Sequence, residues 1–299
     1  MFMRAKATLI KNRWRYLSLL VGFLLFVAPF ALLTRAVYYL MGNVAQPTLH
    51  TICLRMPIDW IFGAPYRLAG SVMAAFVIVV LVTSIFFGPI FCGWLCPVGA
   101  VSEGISRALP IPDRFRLQIR DTKVTVGLRY GFLLGFIAVA VLVGYSIASS
   151  QFSSICCRYC ASSVLQNLTD ALFGNPSAIE YWHSGSILSL VGWLVVGGLF
   201  MAGGRGWCLF FCPLGALSSL AHRVGARLGF YRVDFDPKRC LDCKKCSESG
   251  PQGICPVWAI KEDRTVERTL CINCKECVNL CQSGAYSFRR GWNGAKQAA

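Results

Sequence analysis

The sequence is short of charge. Only 15% of its 299 residues are Asp, Glu, Lys or Arg, against about 25% in an ordinary soluble domain. The shortage is local, because long stretches hold no charge at all, and that excludes a soluble globule as the whole of the chain. Acid is scarcer than base, with 14 Asp and Glu against 30 Lys and Arg, a net charge of +16. Histidine is scarcest: there are three, His50, His183 and His222. No C-x-x-C-H run is present, which excludes c-type haem attachment; axial haem ligation by His50 and His183 competes with the simpler reading of ordinary polar histidines. A Walker loop and a hydrolase triad are also missing. Gly203-Gly204-Arg205-Gly206 lies at the edge of an apolar stretch rather than after a strand, and reads as a turn.

Hydrophobic runs are plentiful. Four apolar stretches cover 16–34, 68–90, 130–149 and 184–204, each near the roughly 20 residues that cross a bilayer as a helix. They predict four transmembrane helices. Lys and Arg alternate between the connecting segments. Segment 1–15 holds Arg4, Lys6, Lys11, Arg13 and Arg15; segment 91–123 holds Arg107, Arg114, Arg116, Arg120 and Lys123; segment 205–299 holds fifteen more. The intervening segments hold only Arg35, Arg55 and Arg67 on one side of the middle loop and Arg158 on the other. The positive-inside rule then puts both termini and the middle loop in the cytoplasm. It also accounts for the basic balance, so nucleic acid is not an expected partner. The first stretch has a basic flank like a signal peptide, but its apolar core is long and Leu33-Thr34-Arg35-Ala36 is a poor cleavage site, so it reads as a retained anchor.

Cysteine is in excess, at 16 residues. A disulfide scaffold would be a short secreted chain, whereas here half the cysteines lie in one basic C-terminal tail. Composition shifts near Arg232, which predicts a membrane domain over 1–231, a small soluble domain over 232–290 and a tail over 291–299. The soluble segment carries Cys240-Leu-Asp-Cys243-Lys-Lys-Cys246, then Cys255-Pro256, and Cys271-Ile-Asn-Cys274-Lys-Glu-Cys277 with Cys281 beyond. The pattern resembles that of bacterial two-cluster ferredoxins, C-x2-C-x2-C-x3-C-P, in which each run lends its fourth cysteine to the other cluster. The resemblance implies an α+β ferredoxin-like fold with two [4Fe–4S] clusters, one on Cys240, Cys243, Cys246 and Cys281 and one on Cys271, Cys274, Cys277 and Cys255. Two departures stand out: eight residues, 247–254, precede Cys255, and Gln282 follows Cys281 where a proline is usual. Structural zinc is the competing reading.

The membrane part has a second cysteine pattern. Phe91-Cys92-Gly-Trp-Leu-Cys96-Pro97-Val-Gly99-Ala100 is echoed 116 residues later by Trp207-Cys208-Leu-Phe-Phe-Cys212-Pro213-Leu-Gly215-Ala216. Both follow an apolar stretch on the cytoplasmic side. Cysteines at i and i+4 share one face of a helical turn, and the proline breaks or kinks the chain after them. Cys53, in one outer loop, has a fainter echo in Cys156, Cys157 and Cys160 in the other. The chain reads as a parallel duplication of a two-helix unit. Cys92, Cys96, Cys208 and Cys212 form a candidate shared inner site, with a cluster or metal, a redox dithiol and an incidental turn as alternatives. Cys53, Cys156, Cys157 and Cys160 form a candidate outer site, with metal ligation, a disulfide and incidental cysteines as alternatives.

Four helices, two C-x3-C-P motifs and a two-cluster tail together resemble the membrane polyferredoxins of the NapH/MauN type, and share elements with the larger NosR and CcoG proteins. The resemblance implies electron transfer in a bacterial cytoplasmic membrane, as part of a multi-subunit complex rather than as a stand-alone enzyme. It implies a link from the quinone pool or a cytoplasmic donor to a periplasmic redox partner. A maturation role, supplying electrons or reducing a metal or disulfide while a periplasmic enzyme is assembled, is the alternative.

Overall fold

The computed structural model describes residues 12–40, 42, 52–109, 115, 117, 121–149, 152, 160–173, 188, 191–243, 246 and 255–291. Cys156, Cys157, His50 and His183 lie outside the described residues, as do the whole 247–254 loop and residues 292–299.

The first apolar stretch makes two helices. Helix α1 (Arg13–Phe26) stops short of Pro29, and α2 (Leu32–Leu40) follows after a turn. Proline lacks an amide donor and clashes with the preceding turn, so one continuous helix is not available here. After α3 (Arg55–Gly63), the second stretch gives α4 (Val72–Phe87), whose first turn is capped by the Ser71 hydroxyl accepting from the Ala74 amide. The third gives α6 (Thr122–Gly144), the one helix among the described residues long and apolar enough to cross a membrane. The fourth is described from residue 191, as a wide, π-type helix over Val191–Phe200. The described residues thus give one full-length span where the sequence predicts four, with α4 a shorter apolar helix.

The two C-x3-C-P units are built alike. A π-type turn (Phe91–Leu95) leads through Cys96 into α5 (Pro97–Ala108); α8 (Gly206–Phe210) leads through Cys212 into α9 (Pro213–Arg227), with α7 (Ala161–Leu172) between the units. Pro97 and Pro213 each take the first helical position, where a missing N–H costs nothing and φ is already helical. The proline therefore starts a helix, rather than kinking one, and the second cysteine of each pair takes the N-cap position. Cys212 Sγ accepts from the Gly215 amide at 3.4 Å.

Helix α4 lies against α9 so closely that a Cβ on Gly225 would fall 1.8 Å from the Ile85 carbonyl oxygen. The central core joins Phe26, Phe76 and Phe91, in edge-on ring contacts, with Trp193 and Leu214. The same core takes in Ile52 and Leu54, which flank Cys53, and Ala161, which follows Cys160.

The C-terminal segment forms a two-stranded antiparallel sheet from β1 (Arg232–Phe235) and β2 (Tyr286–Arg289), with Val233 opposite Phe288 and Phe235 opposite Tyr286, and one short helix, α10 (Glu276–Leu280). This segment does not stand apart. It rests on one end of the helices, where Arg129 Nη1 donates to the Thr269 carbonyl (2.9 Å), Asn273 Nδ2 to the Phe87 carbonyl (2.8 Å) and Trp94 Nε1 to the Asn273 carbonyl (3.1 Å).

Candidate iron–sulfur sites and the network between them

Local backbone shapes the tail. In Cys240-Leu-Asp-Cys243 and Cys271-Ile-Asn-Cys274 the second spacer residue is left-handed, with φ 51° at Asp242 and 49° at Asn273. Short Asp and Asn side chains visit that region more readily than other non-glycine residues. This shared Asp/Asn at equivalent spacers is a signal legible in the sequence that spacing alone missed.

Two cavities result. Cys240, Cys243, Cys246 and Cys281 line one, together with Arg264 and Tyr286. Cys255, Cys271, Cys274 and Cys277 line the other, with Val257, Val266 and Ile272. Each set takes three thiols from one run and the fourth from the other run or the segment before it. Among the described residues, no group of three or more His, Cys, Asp or Glu is gathered as one metal ion requires. The thiols of each set surround a space rather than a point, which suits a four-iron cubane better than a zinc ion. Donors are ready for the sulfurs: Arg264 Nη1 to Cys240 (3.1 Å) and the Ala259 amide to Cys255 (3.2 Å). Such donors stabilise thiolate and tune a cluster's potential.

The two cavities differ in depth. Cys243 is exposed and Leu241 beside it is 76% exposed, whereas Cys274 is buried. Burial, partly offset by Arg15, pushes the Cys274 thiol up to about 12. At Cys281 the burial effect is outweighed by the Ser283 hydroxyl and neighbouring amides, and the thiol falls below its ordinary value.

The inner quartet is also brought together. The thiols of Cys96 and Cys208 face each other across the two motifs, and their contact is the largest influence on both. Burial, then the charge of Cys92, raises Cys212 well above the ordinary thiol range, and Cys96 and Cys160 act in the same direction. Cys160 stands at the start of α7, whose first residue, Ala161, belongs to the central core. At Cys53, the thiol accepts from the Arg55 amide (3.3 Å).

Between the quartet and the deeper cavity lies a buried ionic network that charge counting alone did not single out. Arg15 Nη1 and Nη2 hold both oxygens of Glu103 at 2.8 and 2.7 Å, and Arg205 Nε donates to Glu103 at 2.8 Å. Arg15 also pairs with Glu276, and Arg107 reaches both carboxylates at 2.9 Å. Arg205 Nη1 donates to the Cys92 carbonyl (2.7 Å) and Arg15 Nε to the Gly93 carbonyl (3.0 Å). Glu276 sits between Cys274 and Cys277 in sequence. Burial alone would raise the Glu103 carboxyl, but Arg15, Arg107 and Arg205 together hold it well below the usual carboxylate range. Arg15 and Arg107 had been legible only as topology-setting charges. His222, expected to be an ordinary polar residue, is buried; burial, with Arg268 and Arg232 nearby, lowers it to about 4.

Comparison with known proteins bears on the same units. A family model described as a 4Fe-4S binding domain matches the chain twice, over residues 69–117 and 186–230, once on each C-x3-C-P unit. The chain is 28% identical to YccM of Escherichia coli over 79% of its own length and 63% of that protein's. It is 26% identical to the ferredoxin-type protein NapH of Haemophilus influenzae, over 71% of the chain and 66% of NapH. It is 25% identical to the methylamine utilization ferredoxin-type protein MauN of Methylorubrum extorquens, over 81% of the chain and 76% of MauN. The chain thus spans less than two thirds of the length of YccM. No solved structure matches. The likeness runs through the helical part as well as the cysteine-rich tail, and the chain is similar to ferredoxin-type proteins of the NapH and MauN kind.

Proposed function

We propose that the chain carries electrons between the membrane and the cytoplasmic surface, as a multi-pass subunit of a redox complex that links the quinone pool, or a cytoplasmic donor, to an enzyme system outside the membrane. The observation that carries this reading is the pairing of two four-cysteine cavities in one tail with direct contact between the deeper cavity and a C-x3-C-P loop. Two [4Fe–4S] clusters, one per cavity, would supply one-electron storage and release. Cys255, Cys271, Cys274 and Cys277 would hold the inner one, and Cys240, Cys243, Cys246 and Cys281 the outer one.

The protein's own residues give the path its order. Gly93 lies against the Ile272 carbonyl so tightly that a Cβ there would be 2.4 Å away. Trp94 bonds the Asn273 carbonyl within the same Cys271–Cys274 run. Those contacts put the first C-x3-C-P loop beside the deeper cavity. The exposed Cys243 opens the other cavity to solvent, where a soluble partner could exchange electrons. The Lys/Arg asymmetry supports four spans with both termini cytoplasmic.

The test is a potentiometric EPR titration of the full-length chain in membranes, with a reduced quinol added as donor. Two cubane signals, both reduced by the quinol or, once reduced chemically, both oxidised by the matching quinone, are expected. Zinc in place of iron, or clusters inert to every quinone analogue and to soluble reductants alike, would overturn the reading.

A further inference from the structure

Helix α6 turns one stripe inward, formed by Thr125, Arg129, Leu133, Phe136 and Ala140. Arg129 is the one charged member. It is 3% exposed, and its guanidinium donates to two carbonyls, that of Thr269 (2.9 Å) and that of Gly215 (2.6 Å). Its Nε has no hydrogen-bond partner, and among the described residues no carboxylate pairs with it. A buried cation without a counter-charge is among the costliest arrangements a fold can hold. Something anionic must therefore face it.

The neighbour is the second C-x3-C-P motif. A Cβ on Gly215 would meet Arg129 Nη2 at 3.3 Å and Cys212 Cβ at 3.6 Å, so the guanidinium and Cys212 flank the same glycine. The first motif has the matching arrangement. A Cβ on Gly99 would fall 1.9 Å from Arg205 Nη1. Gly99 and Gly215 occupy the same place, three residues after the capping cysteine of each motif. Each lacks a side chain where a buried arginine, Arg129 from α6 or Arg205 from just before α8, passes over the first helical turn. Arg205 has Glu103 for a partner, but Glu103 is shared with Arg15 and Arg107. With Glu276 included, three guanidinium groups meet two carboxylates, and Arg129 adds a fourth positive charge.

We propose that Arg129 and Arg205 are the paired counter-cations of Cys92, Cys96, Cys208 and Cys212, and that this quartet is held as an anionic metal–thiolate centre rather than as neutral thiols or a disulfide. The proposal rests on the electron-carrier reading but can fail without it. Four thiolates around a [4Fe–4S] core leave net negative charge, which meets the demand of the two arginines, whereas the quartet, like the tail sets, is not gathered as a single metal ion requires. The family match on each C-x3-C-P unit favours the iron centre. Arg129 and Arg205 act as positioning residues, setting charge and geometry without touching the metal.

The test uses the full-length chain, purified without oxygen, with iron, sulfide and zinc measured per chain and midpoint potentials followed by EPR. Cys212→Ser defines the metal belonging to the quartet by its loss. Iron lost with sulfide identifies the cluster, and zinc lost alone would overturn it. Arg129→Gln is expected to lose the same metal as Cys212→Ser, or to keep it at a lower midpoint, since removing a nearby positive charge disfavours the more negative reduced form. Arg129→Lys is expected to keep the metal. Gly99→Ala, which displaces Arg205, is expected to resemble Arg129→Gln. The tail clusters should be unchanged throughout. Arg129→Gln with unaltered metal and midpoint would overturn the proposal. So would a wild-type chain holding no more metal than Cys212→Ser, and in that case tail clusters that still titrate would leave the electron-carrier reading standing. If Arg129→Gln also loses the tail clusters, Arg129→Lys decides: metal retained supports the charge role, and metal lost shows that shape, not charge, is what Arg129 supplies.

Discussion

Glu276→Gln isolates the contact that holds the cysteine-rich tail to the helices. Glu276 is fully buried and pairs with both Arg15 and Arg107, while the Tyr16 hydroxyl donates to it at 3.2 Å. The amide keeps the shape and one acceptor but removes the charge, leaving Arg15 and Arg107 to share Glu103 with Arg205. Breaking one side of a buried ion pair costs about 3–5 kcal/mol, because the partner charge remains buried. At about 1.4 kcal/mol per tenfold, that is a shift of roughly two to three and a half decades in the docking equilibrium. Hydrogen exchange of the amides in 271–281, read by mass spectrometry on the full chain, reports local opening of this kind. Exchange is expected to speed up by at least a hundredfold in Glu276→Gln, with the α6 amides unchanged. Paired with Arg107→Met, the double variant should be less damaged than the sum of the singles, since residues in one network are coupled. A change of less than tenfold, or full additivity, would refute the view that the network docks the tail.

Three further outcomes follow from the same geometry. Cys281→Ser should damage the site of Cys240, Cys243 and Cys246 and spare that of its own run; EPR showing the reverse would remove the crossed ligand assignment. Anaerobically purified Cys212→Ser chain should retain about eight iron and eight acid-labile sulfide from the two tail cubanes, as measured by colorimetric assay, and stoichiometric zinc instead would count against them. The Glu103 carboxyl is depressed in the folded chain, so the stability it contributes is fully present above its unfolded value of about 4.3 and is lost as pH falls through the lower folded value. Tail protection should therefore hold from neutral pH to about pH 5 and fall only in stronger acid, and Glu103→Gln should be less stable than the parent at neutral pH but insensitive to that acid step.

The sequence alone determined what depends on spacing and composition. Two C-x2-C-x2-C runs mark the tail as a cysteine-rich unit by spacing alone, because a two-residue spacer brings successive thiols to one side of a tight turn, while the fourth cysteine of each set follows only from the ferredoxin resemblance. The echo of Cys92–Ala100 in Cys208–Ala216 likewise reveals a duplication without coordinates. The apolar stretches were visible as composition, but composition does not say where a helix stops, and Pro29 divides the first one. Only the tertiary structure decided how distant segments meet. Arg15, Glu103, Arg107, Arg205 and Glu276 come from segments as far as 261 residues apart, and no local pattern marks a charge that is destined for burial. Nor could sequence show that α7, which follows Cys160, starts inside the core. Gly99 and Gly215 were legible as part of a motif, yet their reason lay in the arginines that close packing brings over them. Local chemistry is written along the chain, whereas the partner of a buried charge is chosen by whichever elements the fold presses together.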